Sequence, residues 1–277
     1  MITSASNRKI KEVTALLKKS SARKEQGLFV VEGIKMITEI PEGRLAELYL
    51  SESFCREVLP EQCEILHRKG IGFAECLPDP AFARGTVQAH SVCDDVFEKM
   101  SDTATPQGIL AIVRMPNSVE TAGRIEKSDA VLFLDRLQDP GNLGTILRMS
   151  EAAGIDALIM SRDTADIFNP KVVRSTMGSV FRVPFAYTDD LCGEIRRWQK
   201  RGMKIYAAHL DGKNSYDKED YRASTGFIIG NESKGISEEV AACADCLIRI
   251  PMSGAVESLN AAMAATVLAF ELARQRR

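Results

Sequence analysis
From residue 129 onward the chain repeats one pattern, a short apolar run followed by a longer segment with helical spacing. The runs are Val131-Leu-Phe-Leu, Ala157-Leu-Ile-Met, Val183-Pro-Phe-Ala, Lys204-Ile-Tyr-Ala-Ala, Gly226-Phe-Ile-Ile and Cys246-Leu-Ile-Arg-Ile. Helical spacing occupies Leu143 to Ala153 and Leu191 to Arg201. Strands without polar alternation are buried on both faces, and strand–helix alternation supplies the covering helices, so an α/β fold around a parallel sheet is expected. The chain closes with a helix predicted from Ser258 to about Arg276. Its first turns carry Ala261, Ala262, Ala264 and Ala265, which permit close backbone approach to a neighbour.

The first half is a smaller α/β module. Leu28-Phe-Val-Val, Leu45-Ala-Glu-Leu-Tyr-Leu and Gly108-Ile-Leu-Ala-Ile-Val read as strands, and Asp94 to Met100 as a short capped helix. Between the halves, residues 115–128 are polar, contain Pro116 and Gly123 and show no strong apolar period, which marks a linker. The expected organisation is therefore 1–114, a linker at 115–128, and 129–277. The length of 277 residues accommodates two such domains, and 45% hydrophobic with 27% charged residues suits a globular chain with a proper core.

Composition also narrows the function. A net charge of −2 supplies no global attraction for a polyanion. Locally, Arg8, Lys9, Lys11, Lys18, Lys19, Arg23 and Lys24 face a single acid, Glu12, a run that is either a solvated helix face or a set of phosphate contacts. No apolar run reaches the roughly 18 residues of a membrane span, and the start lacks the apolar stretch of a secretory signal, so a cytoplasmic location is expected. The seven cysteines are odd in number and scattered, which argues against a disulfide framework. Cys243 and Cys246 form one CxxC without a second pair, and read as two thiols on a helix; His67, His90 and His209 stand far apart. No metal site is expected. The Asn231-Glu-Ser233 sequon carries no weight in a cytoplasmic chain.

In open α/β sheets ligands bind beyond the carboxyl ends of the strands. Three glycine- and amide-bearing loops fall there: Asp135-Arg-Leu-Gln-Asp-Pro-Gly-Asn142-Leu-Gly144-Thr-Ile-Leu-Arg148, Gly230-Asn231-Glu232-Ser233-Lys234-Gly235-Ile236-Ser237, and Pro251-Met252-Ser253-Gly254-Ala255-Val256-Glu257-Ser258-Leu259-Asn260. Asn142 reads as the N-cap of the helix it precedes, and Arg148, six residues on, as a second group addressing the same region. No GxGxxG follows any strand, which weakens a dinucleotide reading. Gly230 to Ser237 imitates a P-loop but has Ile236 where the phosphate-binding lysine belongs, which disfavours nucleotide hydrolysis. The chemistry suits an adenosine-containing ligand without phosphates, S-adenosylmethionine being the commonest.

These loops resemble the motifs of the SpoU/TrmH family, SPOUT-class RNA 2′-O-ribose methyltransferases. The first motif is matched by Asn142-Leu-Gly144-Thr-Ile-Leu-Arg148 with Ala152-Ala153-Gly154. The second is matched by Gly230-Asn231-Glu232-Ser-Lys-Gly235-Ile-Ser237, and the third, the most specific, by Ile250-Pro251-Met252-Ser-Gly254-Ala-Val-Glu-Ser258-Leu259-Asn260. The match spans roughly 129–277. Phe29-Val-Val-Glu32-Gly33 and Thr105-Pro106-Gln107-Gly108 resemble, more loosely, the ribosomal-protein-L30e-like substrate domain often attached to these enzymes. Ser233, where many relatives have glycine, and Ala261-Ala262, for a commoner Val-Ser, are departures in the loops.

The resemblance implies a trefoil-knotted methyltransferase domain with a parallel sheet, a bent S-adenosylmethionine held by Gly230, Ile250 and Leu259 with backbone near Ala208, and a homodimer packed through the C-terminal helix. It implies Arg148 as the catalytic arginine and Asn142, Glu232, Ser258 and Asn260 as the other active-site polar residues. It implies RNA as partner, rRNA of the large subunit before tRNA; of the basic run in the first half, Arg8, Lys9, Lys18, Lys19, Arg23 and Lys24 are the expected phosphate contacts. The competing readings are a non-catalytic RNA-binding protein of the same fold and a nucleotide-dependent enzyme of a plain doubly wound fold. Ser258, in its plainest reading, is a helix cap, Glu232 a solvated loop carboxylate, and Arg148 a surface ion-pair partner.

Overall fold
A computed structural model describes residues 1–57, 66 and 87–277; His67 lies outside the described residues. The described residues fall into two compact units, Met1–Met115 with Phe168–Phe181, and Pro116–Ile167 with Arg182–Arg277.

In the first unit, strands β1 (Leu28–Glu32), β2 (Leu45–Ser51), β3 (Gln88–Val92) and β4 (Ile109–Arg114) form a mixed sheet in the order β1-β4-β2-β3. β4 is antiparallel to both neighbours, and β3 joins β2 in parallel. Helix Arg8–Lys18 buries Ile10, Val13 and Leu16 at helical spacing, in one cluster with Val30, Tyr49, Phe97 and Leu110. The polar run Gln88-Ala-His-Ser-Val had given no strand signal; it pairs as a half-exposed edge strand, where pairing and not hydrophobic pattern decides. Helix Asp94–Met100 lies where expected, but Cys93 precedes it and supplies no side-chain cap. The segment Phe168–Phe181 belongs to this unit through packing: Phe168 and Phe29 stack with ring centroids 4.6 Å apart.

The basic run is two helices, Arg8–Lys18 and Ser20–Gln26, broken at Lys19, whose backbone is extended. Arg23 explains the break's stability. Its side chain is 3% exposed and donates to the carbonyls of Leu16 at 2.6 Å and Leu17 at 3.1 Å, satisfying the orphan end of the first helix.

The second unit holds a seven-stranded, all-parallel sheet in the order β7-β6-β5-β10-β8-β11-β9. Its strands are β5 (Ala130–Leu134), β6 (Ala157–Ser161), β7 (Phe185–Thr188), β8 (Lys204–Ala208), β9 (Asn214–Ser215), β10 (Thr225–Ile229) and β11 (Cys246–Arg249). β5 and β10 are buried at every residue, as central parallel strands must be. One face meets helix Leu191–Lys200 through Leu191, Ile195 and Trp198, clustered with Phe133, Ile159, Ile205 and Ile228. β7 begins at Phe185, two residues later than expected, since Pro184 has no N–H for a ladder. The expected linker contains a helix, Ser118–Ile125, capped by Asn117; it is polar because only Ile125 is buried.

Helices Pro140–Ala153 and Ala261–Gln275 pack against each other. Gly144 on one and Ala261, Ala262, Ala265 and Ala269 on the other are buried, so the alanine-rich face serves this intrachain packing and is not presented outward. Met263 and Phe270, on another face of the same helix, are 56% and 42% exposed. Cys243 and Cys246 are not on a helix: Cys243 follows the short helix Glu238–Ala241, and Cys246 opens β11. Among the described residues no helix is long and apolar enough to cross a membrane.

Candidate active site
The strand order brings β10, β8 and β11 side by side, with Ile228 opposite Ala207 and Ile248 opposite Ala208. Gly230, Ala208 and Ile250 therefore end three adjacent parallel strands on the carboxyl edge, where ligands of such sheets bind. The backbone is closely approached here. A Cβ at Gly230 would overlap the backbone of Gly235 and Ile236, and one at Gly212 the backbone of Ile248 and Arg249. The amide of His209 donates to the Ile248 carbonyl at 2.9 Å, which holds the 209–212 turn against β11. Gly212 was not anticipated; its only sequence signal is Asp211-Gly212, an ordinary turn dipeptide.

Three of the expected polar residues meet. The Glu232 carboxylate accepts from the Asn142 side-chain amide at 3.0 Å and the Asp139 amide at 3.0 Å through Oε1, and from the Gln138 amide at 3.2 Å through Oε2. Asn142 Oδ1 accepts from Asn260 Nδ2 at 3.0 Å. Asn260 Oδ1 accepts from the amides of Ala262 and Met263 at 2.9 and 3.3 Å, capping helix Ala261–Gln275. A single chain of side chains thus links the loops after β5, β10 and β11. Burial works against ionisation of Glu232, but the bonds from Asn142 and the backbone outweigh it and hold the carboxyl below its ordinary value.

Two caps differ from expectation. Helix Pro140–Ala153 is capped by Asp139, whose Oδ1 accepts from the Asn142 amide at 2.7 Å, with Pro140 at the first helical position. Asp-Pro is itself a start signal and places Asn142 inside the first turn. At the last helix Asn260 is the cap, and Ser258 is an exposed loop residue with no side-chain hydrogen bond among the described residues.

Arg148 does not join the cluster. It is exposed, on a stripe with Thr145 and Ala152, and its guanidinium has no hydrogen-bond or ion-pair partner among the described residues. Six helical residues carry it about 9 Å along the axis and about 240° around from Asn142. Leu259 is half-buried beside the Asn260 cap.

The basic residues of the first unit are also sorted by the structure. Lys18, Lys19 and Lys24 are exposed. Arg8 pairs with Glu12 at 2.8 Å. Lys9 is drawn to Glu47 at 3.0 Å, in a cluster with His90 and Tyr49. Arg23, buried on helix carbonyls, is removed from the phosphate contacts.

The residues fit S-adenosylmethionine in kind. The strand ends offer close-packed backbone, half-buried Ile250 and Leu259 offer apolar wall, and the position of a phosphate-binding lysine holds Ile236, 6% exposed. Fold and site together define a two-unit α/β protein whose parallel-sheet unit carries a phosphate-free ligand edge beside an amide–carboxylate cluster.

Comparison with known proteins makes the class specific. Residues 129–270 match the SpoU rRNA Methylase family, and residues 7–111 match an MRM3-like substrate binding domain. The chain is 31% identical to the 23S rRNA (guanosine(2553)-2′-O)-methyltransferase RlmP of Bacillus subtilis, covering 98% of each. It is 30% identical to the 23S rRNA (uridine(2479)-2′-O)-methyltransferase of Streptomyces viridochromogenes, over 98% of this chain and 91% of that one. The crystal structure of an AdoMet-bound rRNA methyltransferase from Sinorhizobium meliloti superposes with a TM-score of 0.80 at 31% identity, covering 99% and 97% of the two chains. The chain belongs to the SpoU rRNA methylase family.

Proposed function
We propose that the protein transfers the methyl group of S-adenosylmethionine to a ribose 2′-hydroxyl of large-subunit (23S-type) rRNA, as a cytoplasmic homodimer whose first unit binds the RNA. The observation that carries the reading is the Glu232–Asn142–Asn260 chain, which ties the three motif loops together at the carboxyl edge of the sheet. The Bacillus subtilis and Streptomyces viridochromogenes relatives are 23S rRNA 2′-O-methyltransferases, and this supports the substrate class. The trefoil threading is part of the same reading, supported by an order in which β10 lies between β5 and β8.

When bound, the cofactor supplies an activated methyl group. The chain's own residues hold the acceptor and the loops in place, and positioning of this kind is worth about 7–11 kcal/mol of barrier. Gly230, Ala208, Ile250 and Leu259 form the cofactor's bed. The unpaired, exposed fork of Arg148 is suited to clamp a phosphate beside the target ribose and to stabilise the developing alkoxide. Ser258 is free on its loop to meet the RNA. Glu232 is no proton acceptor: three donors occupy it and its acidity is enhanced. Its work is to orient Asn142.

Dimerisation is supported by the outward stripe Met263, Val267 and Phe270 on the last helix, an apolar face with i, i+4, i+7 spacing. Sedimentation of wild type and of Met263→Asp/Phe270→Asp tests it, with a wild-type dimer and a monomeric variant expected. For the activity, tritiated methyl transfer onto unmodified rRNA and tRNA, with ribose-methylation mapping, is the direct assay. Label at one rRNA nucleotide is expected; label in tRNA alone would move the substrate class, and none in any RNA would end the reading.

A further inference from the structure
Asp135, the residue directly after β5, is a carboxylate 2% exposed at the sheet's ligand edge, with no part in the mechanism above. Its Oδ2 accepts two bonds from one residue, the Ser237 amide at 2.8 Å and the Ser237 hydroxyl at 2.7 Å. Arg136 Nε lies 3.2 Å from its other oxygen. Ser237 stands at the N-cap position of helix Glu238–Ala241, yet its side chain makes no capping bond. The hydroxyl that would ordinarily cap the helix is turned to Asp135 instead.

The neighbouring residue is constrained in the same direction. Arg136 has φ +54°, a left-handed conformation that is unfavourable for a side chain of this size and persists where surrounding bonds impose it. Its amide donates to Ser161 Oγ at 2.8 Å, and its carbonyl accepts from Asn231 Nδ2 at 2.8 Å. Asn231 and Gly235 exchange amide-to-carbonyl bonds at 2.9 Å in both directions. The loop from Gly230 to Ser237 is therefore held to the exit of β5 at both ends, at Asn231 by Arg136 and at Ser237 by Asp135. Between these two points the loop turns back so that Gly235 and Ile236 press on Gly230.

Burying a carboxylate is unfavourable unless its bonds compensate, and an apolar closure of this loop would avoid that penalty. The bonds of the Asp135 carboxylate go to the returning limb of the loop and to its own neighbour, Arg136. We propose that Asp135 is a positioning residue for methyl-donor binding: through Ser237 it fixes the Gly235–Ile236 backbone against Gly230 and so presets the loop that receives S-adenosylmethionine. The inference rests on the methyl-donor reading above and adds a residue to it. Pre-set loops bind more tightly because less ordering remains to be done on binding.

The test is calorimetry of the full-length protein with S-adenosylmethionine and with S-adenosylhomocysteine, alongside melting temperature, steady-state rates and RNA affinity. Ser237→Ala, which keeps the amide bond and removes the hydroxyl one, is expected to weaken both ligands about tenfold, the size of one charge-assisted hydrogen bond. KM for the donor should rise in step, while kcat at saturating donor stays within about twofold and RNA affinity is unchanged. Ser237→Thr should restore wild-type affinity, and Asp135→Asn should weaken binding as Ser237→Ala does, which keeps the test alive if one variant fails to fold. A lowered melting temperature with unaltered donor affinity would reduce Asp135 to a structural residue and overturn the inference, as would a fall in kcat alone. Wild-type protein that binds neither ligand would instead overturn the methyl-donor reading itself.

Discussion

Replacing Glu232 by glutamine separates an anchoring carboxylate from a proton acceptor. In Glu232→Gln the retained oxygen can keep the two bonds that Oε1 accepts from Asp139 and Asn142, but an N–H now faces the Gln138 amide that Oε2 accepts. One charge-assisted bond is lost, and the site is partly open to solvent, so the loss is about 1–2 kcal/mol. If Asn142 is displaced only to that extent, kcat/KM falls about 5- to 30-fold, each 1.36 kcal/mol being about one decade. Methyl transfer measured from pH 5 to 9 should retain the wild-type pH profile. The lowered pKa gives the same sign: a carboxylate already ionised well below neutrality contributes no limb in that range. A loss beyond about a thousandfold, with the acidic limb of the profile abolished, is the signature of a general base and would refute the anchoring role.

Arg148→Ala should bind S-adenosylmethionine as wild type does yet lose turnover by about a hundredfold or more, with Arg148→Lys recovering only part; unchanged rates would remove it from the mechanism. Asn260→Ala, which loses both the helix cap and the bridge to Asn142, should lower stability in urea by about 1–2 kcal/mol, whereas Asn260→Ser should recover the stability but not the activity. Wild-type activity in Asn260→Ser would dissociate the bridge from function. Gly230→Ala drives a methyl group into the backbone of Gly235 and Ile236 and should weaken donor binding about tenfold or more by calorimetry. In the first unit, burial opposes the ionisation of Glu47, but Tyr49, Lys9 and His90 together hold its carboxyl below the ordinary 4.5. Its stabilising contribution is therefore complete above about pH 4.5 and lost as pH falls through the lowered value, so Glu47→Gln should flatten the acid limb of the stability profile.

The sequence by itself determined the fold class. Runs such as Ala130–Leu134 and Thr225–Ile229 have no polar alternation, and only a parallel sheet covered on both faces buries them. It also placed three motif loops on one edge, because the polarity of parallel strands puts every strand-following loop on the same side. Local patterns went no further. Which cap starts a helix turned on competition between neighbouring side chains, settled for Asp139 over Asn142 and for Asn260 over Ser258 by where the chain enters the turn. Arg23 read as one more surface cation in a basic run, and only the break at Lys19 brings it onto the carbonyls of Leu16 and Leu17. The bond between Asn142 and Asn260 spans 118 positions, and that from Ser237 to Asp135 spans 102. No local propensity encodes such pairs; they exist because β10 inserts between β5 and β8 and brings the distant loops within hydrogen-bonding distance.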